Sequence, residues 1–330
     1  MARSLPQRSI GKSGISTSAI GLGCMSFSGV YGPSEDAAAI ALIHEALDQG
    51  ITLLDSSDAY GKGHNETLLG QALKGRRAGV VLATKFGNLG GAGGKFADGR
   101  PEFAISSCEA SLKRLGVDVI DLYYAHRIDP TVPIEDTVGA MAKLVQQGKV
   151  RALGLSEASP KTIRRAHKVH PIAAVQNEYS LLYREQADDT RQTTRELGIS
   201  FVAYAPLGRG LLTAEIADPA TLAEGDTRKR QPRYAKDNLA HNRALAQKVE
   251  AIAKRKGCTP AQLALAWVLA QGPDVIPIPG TKQKKRLLEN IGALNVQLSA
   301  SELAEIASAV PAGAVKGTRY PEGQMASLYI

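Results

Sequence analysis

The feature that most constrains this chain is a recurring unit: a short apolar run followed by an amphipathic stretch of helical period, repeated along most of its length. Ala19–Cys24, Thr52–Asp55, Val80–Lys85, Val119–His126, Val150–Ser156, Ala173–Glu178, Phe201–Ala205 and Val275–Pro279 read as strands. Helices are expected over Ser34–Gln49, Glu66–Leu73, Glu102–Leu115, Ile134–Gln147, Pro160–Val169, Arg191–Leu197 and Lys284–Leu294. Ser34 is the expected N-cap of the first and Gly50 its stop. Strands that are apolar on both faces suit a parallel sheet covered by helices. Repeated βα crossovers close as an open doubly wound sheet or as a barrel, and a count of eight favours the barrel.

The expected fold is therefore α/β, a (β/α)8 TIM barrel in one domain spanning residues 1–330. An N-terminal hairpin precedes it, turning at Lys12-Ser13-Gly14. Extra helices, Asn242–Arg255 and Pro260–Ala270, fall between the seventh and eighth strands, and Ser301–Val310 follows behind a Ser-Ala-Ser-Glu capping signal. Thr213–Asn238 is polar, charged and without periodicity, which marks a long loop of the kind kept for function.

Composition excludes several classes. No apolar run is long enough for a membrane-spanning helix, and the N-terminal segment lacks the apolar core of a secretory leader. The three cysteines, Cys24, Cys108 and Cys258, are far apart and form no CxxC pair. A cytoplasmic, reducing compartment is expected. The formal charge of +8 invites a nucleic-acid reading, but no recognition motif accompanies it. A small phosphorylated ligand accounts for the basic excess equally well. Six histidines show no i, i+4 pair, so no metal is expected. Gly21-Leu22-Gly23-Cys24-Met25-Ser26 lacks the third glycine of a dinucleotide fingerprint, and no phosphate-binding GxxxxGK[ST] loop occurs.

In a barrel of this kind, chemistry gathers where the strands end. Asp55 ends the second run, Lys85 the third and His126 the fourth, while Tyr60 follows Asp55 by five residues. Together they form an acid–base device. A phenol titrates near ~10 and is a weak proton donor at neutral pH. A neighbouring Lys85 ammonium is expected to lower that value, with Asp55 holding the lysine and His126 orienting a carbonyl oxygen. Negative charge developing on such an oxygen is what the device would stabilise.

Asp55, Tyr60, Lys85 and His126 resemble the catalytic tetrad of the aldo-keto reductases. The resemblance extends through Ala125-His126-Arg127, Gly148-Lys149-Val150-Arg151, Leu155-Ser156-Glu157, Gln176-Asn177-Glu178-Tyr179, Ala205-Pro206-Leu207-Gly208-Arg209-Gly210 and Ile278-Pro279-Gly280-Thr281. It is closest to the bacterial, fungal and plant branch with Ser-Glu after strand five. It implies carbonyl reduction with NADP(H) by hydride transfer, Tyr60 being the proton donor. It also implies that Ser156 and Gln176 hold the nicotinamide carboxamide and that Tyr204 stacks on the ring. Leu207, Arg209 and Gly210 would meet the pyrophosphate. Gly280, Thr281, Lys282 and Arg286 would meet the 2′-phosphate, and Glu289 and Asn290 the adenine. Lys282 and Arg286 share a helical face if that helix begins by Lys282.

Cys24, Met25, Phe27 and Tyr31 are expected at the substrate mouth. A small-molecule carbonyl is the expected partner, with neither nucleic acid nor membrane. A second reading on the same scaffold is a nicotinamide-sensing regulatory subunit with little turnover.

Overall fold

The computed structural model describes residues 4–91, 94–213 and 218–330. Eight parallel strands alternate with helices in the order the periodicity requires: β3 (Leu22–Gly23), β4 (Leu53–Asp55), β5 (Val81–Phe86), β6 (Ile120–Ala125), β7 (Val150–Ser156), β8 (Ile172–Glu178), β9 (Ser200–Tyr204) and β10 (Val275–Pro277). Each pairs in parallel with its successor, and Gly21 N–H to Pro277 O (2.9 Å) with Gly23 N–H to Pro279 O (3.3 Å) join the two ends of the sheet. The result is the expected (β/α)8 architecture.

Before it, β1 (Gln7–Ser9) and β2 (Ser16–Ser18) form the antiparallel hairpin. Ile10 and Ile15 from its turn pack with Leu53, Val81, Leu122, Val202 and Ile276 inside the barrel. The hairpin thus plugs the end at which the strands begin, leaving the opposite mouth for a site.

The helices α1 (Asp36–Asp48), α2 (His64–Leu73), α3 (Pro101–Leu115), α4 (Ile134–Gln146), α5 (Pro160–Val169) and α6 (Glu185–Leu197) wrap the sheet. So do α7 (Lys236–Lys256), α8 (Pro260–Leu269), α9 (Lys284–Gly292) and α10 (Ala300–Ala309), with a short α11 (Glu322–Met325) near the end of the chain. The main apolar core lies between sheet and helices, where Ile43, Leu69, Leu82, Tyr123, Met141, Leu153 and Ile163 are almost wholly buried. Two N-termini follow from sequence alone. Thr259 with Gln262 caps α8 reciprocally, and Ser299 with Glu302 caps α10.

Several boundaries differ from the expectation. Helix α1 starts two residues after Ser34, with Glu35 at the N-cap and no side-chain cap. Helix α6 begins at Glu185, ahead of the expected Arg191, because Ala187, Thr190, Thr193 and Thr194 together make its buried face. Helix α7 begins at Lys236 inside the segment read as loop. The remainder of that segment holds three short 3-10 turns, two of them capped by Asp218 and Asp226. Residues 214–217 of it lie outside the described residues. Helix α9 starts at Lys284, after an N-cap at Gln283, so Lys282 precedes the helix.

Candidate active site

The strand ends bring the four chemistry-bearing residues together. Asp55 is the last residue of β4, Lys85 lies one before the end of β5, and His126 follows β6 directly. Ser56 N–H donates to Ala83 O (2.8 Å) and Asp58 N–H to Lys85 O (3.1 Å), which folds the turn after β4 over the end of β5. That turn places the Tyr60 hydroxyl 3.5 Å from Lys85 Nζ. The His126 ring meets the Tyr60 ring edge-on, with centroids 5.8 Å apart.

Lys85 is fully buried and donates to Asp55 Oδ1 at 2.5 Å and to Ser56 O at 2.7 Å. The second oxygen of Asp55 accepts from Gln176 Nε2 at 2.8 Å. Both oxygens of this buried carboxylate are therefore bonded, which a buried charge requires.

The electrostatics correct one expectation. Burial and the Asp55 charge push the Tyr60 hydroxyl well above the ordinary phenol value, and Arg127 pulls the other way. Lys85 is expected to lower Tyr60, but burial and the Asp55 carboxylate paired with that lysine outweigh it in the resting site. Tyr60 stays protonated. Burial lowers Lys85 itself, with Asp55 opposing. Burial, Arg127 and Lys85 all push His126 well below the ordinary imidazole value, so its ring is neutral at neutral pH. Its Nδ1 lies 2.9 Å from the Ser57 hydroxyl, and Nε2 is the ring nitrogen left for another partner.

Around this centre runs a cleft of about 640 Å³. Tyr60, His126, Ser156, Gln176 and Tyr204 line one part, and Gly280, Thr281, Arg286, Glu289 and Asn290 line another, with Leu207, Arg209 and Gly210 also on its wall. Met25 and Tyr31 also line the cleft. Cys24 and Phe27 do not: they are 0% and 1% exposed and belong to the main apolar core. Burial and the Asp55 charge push the Cys24 thiol far up, which leaves it unreactive.

Lys282 also differs from its expected place. Its Nζ donates to the carbonyls of Tyr31 (2.9 Å), Gly32 (3.4 Å) and Pro33 (2.8 Å), tying down the loop before α1. Arg286 remains on the cleft, bonded to Glu289 Oε2 at 2.6 Å. The Arg209 guanidinium points to Glu178 (3.0 Å), Gln231 (3.0 Å) and the Arg319 carbonyl (2.6 Å). Tyr204 donates to Glu157 at 2.8 Å, and its hydroxyl lies 3.1 Å from that of Tyr320.

Four residues at this mouth were not singled out from sequence for a role here: Ser57, Glu157, Arg319 and Tyr320. Ser57 and Glu157 sit inside recognisable motifs, so their neighbourhood was legible although their partners were not. Arg319 and Tyr320 carry no local signal; they arrive from the far end of the chain.

A nicotinamide dinucleotide fits this cleft by the chemistry of its lining. One part offers a half-buried phenol with a buried imidazole and amide, and another an arginine with polar neighbours. The Ser26 hydroxyl is buried on the cleft wall with no hydrogen-bond partner among the described residues, a donor that a ligand oxygen would satisfy.

A (β/α)8 barrel carrying a Tyr-Lys-Asp-His cluster at the strand C-termini, beside a cleft of mixed polar and apolar lining, defines a class of barrel oxidoreductase. The sequence profile of the Aldo/keto reductase family matches residues 19–311, and the chain belongs to that family. Among solved structures it is similar to the glycerol dehydrogenase AKR11B4 from Gluconobacter oxydans, with 30% identity and a TM-score of 0.83 over 94% of this chain and 98% of that one. It is also similar to the thermostable aldo-keto reductase Tm1743, solved in complex with the inhibitor epalrestat. There the identity is 29% and the TM-score 0.74, covering 92% of this chain and all of the other.

Proposed function

We propose that this chain reduces aldehydes or ketones to alcohols with NADPH, and that Tyr60 is the proton donor. The observation that carries this is a tyrosine hydroxyl 3.5 Å from the ammonium of a buried Lys-Asp pair, with a histidine ring edge-on to it, on a cleft that also contains Arg286. A carbonyl oxygen at this mouth accepts from Tyr60 Oη and from His126. As charge develops on that oxygen, the Tyr60 proton moves to it, and Lys85, 3.5 Å away, stabilises the phenolate left behind. Asp55 keeps Lys85 charged and aimed. When bound, the nicotinamide supplies the hydride.

Ser156 and Gln176 would hold its carboxamide, with Tyr204 against the ring and Leu207 and Gly210 walling the diphosphate. Gly280, Thr281 and Arg286 would take the 2′-phosphate, and Glu289 and Asn290 the adenine. Lys282, committed to three carbonyls, is left out of this set, and the Arg209 guanidinium, paired with Glu178, acts on the loop.

NADPH consumption across a panel of aldehydes and ketones tests the reading, with alcohol oxidation, glycerol included, run in reverse because a similar chain is named a glycerol dehydrogenase. Tight NADPH binding without turnover in either direction would instead favour a nicotinamide-sensing subunit.

A further inference from the structure

Among the arginines that line the cleft and are at least half-buried, Arg209, Arg228 and Arg286 each pair with a carboxylate, and Arg127 does not. Arg209 and Arg233 share Glu178, and Arg319 is held by Glu157. Arg127 is 9% exposed, yet it forms no ion pair with any carboxylate among the described residues. Its contacts are from Nη1 alone, to the His126 carbonyl at 2.7 Å and toward the Ser156 hydroxyl at 3.5 Å. A guanidinium cannot shed its charge by losing a proton, and the carboxylate whose field reaches Arg127, Glu157, has both oxygens bonded to Arg319. Arg127 therefore keeps guanidinium donors for an anionic group on a ligand.

Position says where that ligand sits. Arg127 lines the cleft next to His126 and Tyr60, on the wall that also carries Tyr320. The two carboxylates on the cleft are already neutralised, Asp55 by Lys85 and Glu289 by Arg286. Arg230, exposed on the same cleft, adds a second positive charge. The field at this mouth therefore favours an anion.

We propose that Arg127 is the subsite for an anionic group, a carboxylate or a phosphate, borne by the carbonyl substrate. This rests on the carbonyl-reducing reading above and names its substrate class. Nε and Nη2 have no protein acceptor among the described residues, and they offer the two-pronged geometry that carboxylates and phosphates match. The anionic group docks on Arg127 while the carbonyl lies between Tyr60 and His126.

Matched pairs of probes test this. 4-Carboxybenzaldehyde is compared with 4-methylbenzaldehyde, succinic semialdehyde with pentanal, and glyceraldehyde 3-phosphate with glyceraldehyde; the first two pairs report on carboxylate and the third on phosphate. In at least one pair the charged member should have a kcat/KM higher by about ten- to a hundredfold. In Arg127→Gln that ratio should fall to about one, and Arg127→Lys should restore part of it. The ratio cancels any loss shared by both substrates. Ratios near one in the unaltered protein, or ratios unmoved by Arg127→Gln, overturn the subsite while leaving carbonyl reduction standing. If no aldehyde is reduced, the reduction reading itself fails. Calorimetric binding of the same pairs then decides the subsite: selective binding of the charged members, lost in Arg127→Gln, supports it, and equal binding overturns it.

Discussion

Glu157 and Arg319 face each other across two parallel hydrogen bonds of 2.8 Å, although 162 positions separate them in the chain. The pair is almost completely buried, and it ties the C-terminal tail to the end of β7 beside Ser156. The tail is further held by Tyr329 N–H to Glu157 O and Ser159 N–H to Ile330 O. Removing one partner of such a pair leaves a buried charge uncompensated. Arg319→Ala should therefore cost about 3–5 kcal/mol of stability, read as a lower denaturation midpoint. Because Tyr320 lies on the cleft, the same change should also raise KM for the carbonyl substrate.

Tyr60 supplies the proton in the proposed reaction, so Tyr60→Phe should lower kcat by roughly 10²–10⁴. NADPH affinity should hardly change, since the phenol acts mainly in the transition state. Steady-state kinetics with a fluorescence titration of NADPH measure both. Retained kcat would remove Tyr60 from the role.

Asp58, next to Ser57 in the same turn, gives a pH-dependent prediction. Burial and the nearby Glu66 charge push its carboxyl up to about 6. The folded protein therefore holds this proton more tightly than the unfolded chain, whose carboxyl titrates near ~3.9. The stability it contributes is full below the unfolded value and is lost as pH rises through about 6. Asp58→Asn should remove that loss and stabilise the protein by up to about 3 kcal/mol at pH 7–8, with little gain at pH 4. Melting temperatures at the two pH values check it.

Cofactor choice should reside in Arg286. A charge-assisted bond to a phosphate contributes roughly 1.5–3 kcal/mol, so Arg286→Ala should weaken NADPH binding about tenfold to a hundredfold. NADH, which lacks the 2′-phosphate, should bind nearly as before. Equal weakening of the two would assign Arg286 to the shared part of the cofactor or to the fold.

Gly154 sits in the barrel interior with no spare room. Gly154 on β7 pairs in register with Tyr124 on β6, and a Cβ built there would lie 2.3 Å from the tyrosine ring. Gly154→Ala should destabilise by about 1–3 kcal/mol through overpacking. Thermal unfolding of the variant measures this directly.

The sequence by itself determined the alternation of eight strands with helices, the hairpin ahead of them, and the placing of Asp55, Lys85 and His126 at successive strand ends. These are local matters: apolar periodicity, capping residues and the polar residue that closes an apolar run all act within a few positions. Tertiary structure alone decided which of the marked residues reach the cleft. Cys24 and Phe27 turn into the core while their neighbour Met25 lines the cleft, a choice made by the packing of α2 against the turn after β3. Lys282 reaches back about 250 positions to three loop carbonyls, and Arg319 crosses 162 to Glu157. Nor did sequence fix the sign of the Tyr60 shift, because that depends on burial and on the Asp55 carboxylate paired with Lys85. Partners for long charged side chains are chosen by geometry between distant segments, and local periodicity carries no information about that geometry.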